Sequence, residues 1–183
     1  MTPTHPRARE VSDYLTTARV HLQDAVRAVP ETLRDAAPAA GRWSVAQILQ
    51  HLSIVNHGIA RLITKRVTDG KVAGLGRDPG TTSILWTLDV ARLLNRQEAM
   101  TSPERTRPGD EVTVDAAWEA LTGADAAIQA ALLEADGLAL DTITHPHAFL
   151  GPLNLYQWVA FAAAHEFRHA AQIRETAAAM AQV

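Results

Sequence analysis

Four long stretches of this chain repeat apolar residues at steps of three and four, with glycine or proline clusters between them. That period predicts amphipathic α-helices, and no alternating run of β-branched residues predicts a sheet. The first stretch carries Val11, Leu15, Ala18, Leu22, Val26 and Val29 before Pro30, a helix over residues 7–29. The second opens at Ser44, where Gln47 completes a capping box and Trp43 faces Ile48 as a hydrophobic staple. Its stripe is Ile48, His51, Leu52, Val55, Ile59, Leu62 and Ile63, ending near Thr68-Asp69-Gly70. A third follows Thr113, with Val114, Trp118, Leu121, Ile128 and Leu132 on one face. The last starts at Asn154 with Gln157 three residues on, repeats the staple as Leu153 and Trp158, and runs to about Met180. Ile84 to Leu94 reads as one short additional helix, and residues 136–152 as a structured loop. Four long helices with one apolar stripe each predict an all-α four-helix bundle, a single domain over 1–183 with residues 1–6 a flexible tail.

Composition narrows the chemistry. There is no Cys, which excludes a disulfide framework and any cysteine nucleophile. A net charge of −3 offers no basic footprint for nucleic acid, and no apolar run is long enough to span a membrane. A cytoplasmic location is expected.

The eight histidines are unequal. His5 falls in the tail, His21 on a wet flank, and His57 about 120° around its helix from His51, off the core face. His165 and His169 are spaced i, i+4, about 40° apart on one face, so both rings can converge on one ion. Both lie in the stripe Trp158, Phe161, Ala162, His165, His169, Ile173, and His51 lies in the stripe of its own helix. Buried imidazoles need partners for their ring nitrogens, and one interior metal satisfies all three at once. Three separately hydrogen-bonded core histidines are the alternative.

The string His165-Glu166-Phe167-Arg168-His169 also fits the H-E-x-x-H signature of zinc proteases, with Glu166 as general base. Its context argues against that: Gln172 and Glu175 stand where an extended protease motif needs Gly and a third His. Glu166 lies about 100° from the His165 direction and is read as a helix-flank carboxylate. Arg168 and Arg174 are read as a solvated face, with binding of a cofactor carboxylate as the alternative.

Trp43-Ser44, Gln50-His51-Leu52, His145-Pro146, Gly151-Pro152-Leu153, Trp158 and His165-x-x-Arg168-His169-x-x-Gln172-Ile173 together resemble the DinB/YfiT-like metalloenzyme superfamily. The resemblance runs from about residue 40 to 175. It implies a four-helix bundle holding one divalent metal ion, zinc or nickel with iron as a further option, on His51, His165 and His169. It also implies a partner role for Gln172 behind a ligand, leaves His145 either structural or functional, and favours a homodimer. Some members are thiol-dependent S-transferases, so the expected partners are a bacillithiol- or mycothiol-like small thiol and an electrophile. A metal-dependent hydrolase of amides or esters, or a non-enzymatic stress-associated metal module, are the alternatives. Because a ligating imidazole must be neutral, the ion is expected to leave as pH falls below about 6.

Overall fold

The computed structural model describes residues 1–97 and 102–180. Helix α1 spans Pro6–Arg27, and Pro6 suits its first turn because the missing N–H would have no partner there. Helix α2 spans Val45–Val72, two residues beyond the expected end. Its capping box is complete: Gln47 N–H donates to Ser44 Oγ at 3.1 Å, and Ser44 N–H donates to Gln47 Oε1 at 3.0 Å. The short helix α3, Val90–Leu94, and the long α4, Val114–Glu134, follow. The extra helix expected over 84–94 is split, since Leu85–Thr87 form a 3₁₀ turn and Leu88 is extended before Asp89 caps α3.

The structured loop expected over 136–152 contains a two-stranded β-hairpin, a small addition to the expected all-α bundle. Strand β1, Thr144–His147, pairs antiparallel with β2, Gly151–Asn154, in the register His147 to Gly151. The connection is three residues, and Gly151 has φ +74°, the left-handed conformation such a turn ends on. Pro146 and Pro152 face each other across the ladder. Proline is tolerated here because each strand has a free edge.

Helix α5, Leu155–Met180, starts on a second reciprocal cap, with Asn154 and Gln157 exchanging 2.9 Å bonds. α1 packs along α5 and α2 along α4, while α2 and α3 also meet α5. These four long helices form the bundle, and full burial of side chains such as Leu15, Leu22, Ile48 and Ile128 contributes about 2 kcal/mol each. Leu155, Tyr156, Val159, Ala160, Ala162, Ala163 and Ala164 of α5 are all buried, while Gln157, Trp158 and His165 are only partly so. No described helix is long and apolar enough to cross a membrane.

The tail expected over 1–6 is tied down from residue 3. Pro3 is buried, Thr4 N–H and Oγ1 donate to Asp136 Oδ2, and His5 N–H donates to Asp136 Oδ1 at 2.9 Å. The His5 ring stacks on Tyr156 at 6.5 Å.

Candidate metal centre

His51 sits two turns after the Ser44 cap, so the rigid start of α2 fixes its position. His165 and His169 come from successive turns of α5. Their three Nε2 atoms converge: His165 Nε2 is 3.3 Å from His51 Nε2 and 3.1 Å from His169 Nε2. All three ligand atoms lie within 4.8 Å of one another. Tetrahedral zinc with nitrogens at 2.0–2.1 Å separates them by about 3.3 Å, so the spacing fits such an ion.

Proton accounting gives an independent argument. The Thr106 carbonyl can only accept, so the 2.6 Å contact puts a proton on His51 Nδ1. Gln172 Oε1 does the same for His169 Nδ1 at 2.9 Å. Each neutral ring then presents a lone pair at Nε2. His165 Nε2 lies between two such lone pairs and can donate to one of them at most. A cation at the centre satisfies all three nitrogens, and the two oxygen partners are the usual orienting contacts of ligating histidines. His165 Nδ1 is buried with no partner among the described residues.

Burial holds the rings neutral. It lowers His51 against the opposing Thr106 bond, and it lowers His165 with help from the neighbouring His169 and His51. His169 is pushed down to about 3, by burial first and His51 second, against the Gln172 bond. Aromatic rings frame the group. Trp43 lies 5.1 Å from the His51 ring, and Phe161, one turn before His165, stacks on it at 5.4 Å and 15°.

The three expected ligands and Gln172 are therefore brought together. His21 is exposed against Phe167, and His57 bonds the Ser53 carbonyl away from the centre. His145 lines the cavity wall, where its Nδ1 accepts from Arg66. Thr106 and His147 are the participants that sequence reading missed. Thr106 acts through its carbonyl, which leaves no side-chain signature. His147 is placed by the unexpected hairpin, 4.4 Å from Phe161, and burial lowers its pKa.

Glu166 requires correction. It is fully buried rather than on a flank. Arg19 donates to its carboxylate at 3.0 and 3.2 Å, and Asn56 at 2.8 Å. Arg19 and Asn56 also bind Asp125, so two carboxylates share one guanidinium. Burial first, then the charge of Asp125, pushes Glu166 up to about 8, with Arg19 opposing. These partners occupy the carboxylate, which gives the protease base no support. Arg168, expected on a solvated face, is buried and donates to the Leu93 and Asn95 carbonyls at the end of α3. Arg174 is exposed and donates to the His21 carbonyl.

A cavity of about 960 Å³ opens over the histidines, walled by α2, α5, the hairpin and the segment around Thr106. The group thus sits at the base of a space large enough for small molecules. A model of the DinB superfamily matches residues 14–173. The uncharacterized protein YuaE of Bacillus subtilis (strain 168) is 23% identical over 166 residues, 86% of this chain and 91% of that protein. No solved structure matches this chain. With the superfamily pattern spanning all four long helices and the three converging histidines, this chain belongs to the DinB superfamily.

Proposed function

We propose that this protein is a divalent-metal-dependent enzyme that transfers a low-molecular-weight thiol, bacillithiol- or mycothiol-like, to an electrophile. The observation that carries the reading is the three-nitrogen group facing an open cavity in a chain without Cys. Three protein ligands leave a position for a substrate atom, whereas structural sites fill all four. A zinc, nickel or iron ion held there supplies Lewis acidity toward a sulfur or oxygen ligand.

The remaining work belongs to the chain. Thr106 O and Gln172 Oε1 keep protons on Nδ1 of His51 and His169, fixing both rings with Nε2 toward the cavity. His51 and His169 already carry a proton on Nδ1 and direct Nε2 at the metal position, so neither ring takes the thiol proton, which leaves to solvent. The balanced reaction forms one S–C bond, breaks the bond from that carbon to its leaving group, and releases one proton with that group. With no cysteine in the chain, the sulfur arrives as substrate.

The test is a panel of electrophiles with and without small thiols, run on protein of measured metal content. Turnover should saturate with thiol and vanish on chelation. Thiol-independent hydrolysis of esters or amides would replace this reading with a hydrolase, and no turnover by fully loaded protein would remove enzyme status.

A further inference from the structure

The cavity is strongly biased in charge. Its described lining contains six arginines, Arg42, Arg61, Arg96, Arg105, Arg107 and Arg168, and no Asp or Glu. Yet the chain as a whole has more acidic than basic residues. Two of the six are committed: Arg96 pairs with Glu175 at 2.9 Å, and Arg168 holds backbone carbonyls. No carboxylate among the described residues pairs with Arg105 or Arg107, and Arg42 forms no direct ion pair there, although its charge reaches Glu175, the partner of Arg96.

The arginines are also unevenly placed. Arg105 and Arg107 flank Thr106, which holds His51. Arg42 adjoins Trp43, which lies against the same histidine. Arg96 is tied to Glu175, about one turn past Gln172 and nearly two past His169. The His51–His169 side of the metal group is therefore the cationic side, with Arg61 on α2 as the exception. The His165 side is aromatic. Phe161 stacks on His165, and His147 of the hairpin contacts Phe161, Trp158 at 5.1 Å and Phe149 at 6.1 Å. Phe149 stands at the hairpin turn and is 48% exposed, on the cavity lining.

We propose that the cavity holds two subsites of opposite character on either side of the metal group. Arg42, Arg105 and Arg107 take the oxyanion groups of a polyanionic thiol, and Phe149 with His147 and Trp158 takes the apolar part of the electrophile. This division rests on the thiol-transfer reading and deepens it. Guanidinium groups suit oxyanions because their donors match carboxylate geometry in pairs. The arrangement also sets orientation: the thiol approaches from the α2 side, and its reaction partner from the hairpin.

The experiment uses the cobalt-loaded full chain and two binding readouts. Mercaptosuccinate, 2-mercaptoethanol and cysteamine share a thiol and differ in charge, and each is titrated by its sulfur-to-cobalt absorption. Mercaptosuccinate should bind at least about tenfold more tightly than mercaptoethanol, with cysteamine weakest. That advantage should shrink as ionic strength rises from about 0.05 to about 0.5 M. Neutral 4-nitrobenzyl alcohol, followed by tryptophan quenching, reports the aromatic side. The double variant Arg105→Gln/Arg107→Gln should remove the mercaptosuccinate advantage and leave nitrobenzyl alcohol unchanged, and Phe149→Ser should do the reverse. Arg42→Gln, which does not flank Thr106, should weaken mercaptosuccinate by about threefold or more even if the double variant loses metal. Equal affinity for the three thiols, or variants that weaken both probes alike, would overturn the two subsites. Failure of the thiol reading looks different: succinate and mercaptosuccinate would bind equally and arginine-dependently, with no sulfur-to-cobalt band.

Discussion

Replacing Glu166 separates a structural carboxylate from a catalytic one. Glu166→Ala removes three hydrogen bonds from Arg19 and Asn56, at 3.0, 3.2 and 2.8 Å, around a side chain with no exposure. With its pKa raised to about 8, Glu166 is mostly protonated at neutral pH, so its deletion costs the buried Arg19 and Asn56 groups hydrogen bonds, about 1–3 kcal/mol for each. Asp125 still accepts from both Arg19 and Asn56, so a total of about 3 kcal/mol applies. For a chain of this length that lowers the melting temperature by about 6–12 °C. Glu166→Gln keeps an acceptor for Arg19 and Asn56 and sets an amide beside Asp125, with which Glu166 shares a hydrogen bond. Its expected cost is below about 1 kcal/mol. Thermal unfolding followed by circular dichroism measures both, with elemental analysis on the same samples, and metal content should match wild type in each. Equal destabilisation by Ala and Gln, or a cost near zero for Ala, would refute the buried network. A fall in turnover of about a hundredfold in Glu166→Gln with metal retained would restore the general base instead.

His169→Ala should leave less than about a tenth of the wild-type metal with the helical signal intact, read by elemental analysis and circular dichroism. Metal retention should extend to lower pH than the ordinary histidine value implies. Burial lowers all three ligands in the folded chain, to about 3 for His169, so protons compete for their nitrogens only in more acidic solution. Unfolded histidine takes up its proton near pH 6.5, so metal-free protein should lose stability as pH falls from about 6.5 toward the folded values. Metal release with a midpoint near pH 6 from protein that is still folded would contradict that depression. Asp136→Ala should cost about 1 kcal/mol, because its carboxylate anchors Thr4 and His5 from outside the core; an unchanged melting temperature would return residues 3–5 to a loose tail.

The helices and the metal group were readable because both rest on periodicity. A stripe at steps of three and four fixes which face is buried, and His51, His165 and His169 lie on such stripes. The complete Ser44–Gln47 box and the reciprocal Asn154–Gln157 cap carry the same information at the helix starts. The hairpin was not readable: Thr144–His147 and Gly151–Asn154 contain two prolines and almost no β-branched residues. Their pairing is held by turn geometry and packing on α5 rather than by strand propensity. Thr106 was hidden for a different reason, since a backbone carbonyl is common to every residue.

Glu166 shows where single-helix reasoning stops. A flank exists only for a helix with one covered face, and around this turn of α5 Ala162, Ala163, Ala164, Glu166 and Ala170 are all fully buried, with the opening on the His165 and His169 side. The missing signal lies in the other three helices. Arg19 stands between Leu15 and Leu22, Asn56 between Leu52 and Ile59, and Asp125 between Leu121 and Ile128, each four residues after one apolar core position and three before the next. A polar residue at such a position is an interruption in each helix taken alone. Three interruptions with one spacing need a common partner, because no buried charge or amide can be left unsatisfied without several kcal/mol of cost. Glu166 is that partner, and its place next to His165 links the bundle's buried polar layer to the metal group through one turn of α5.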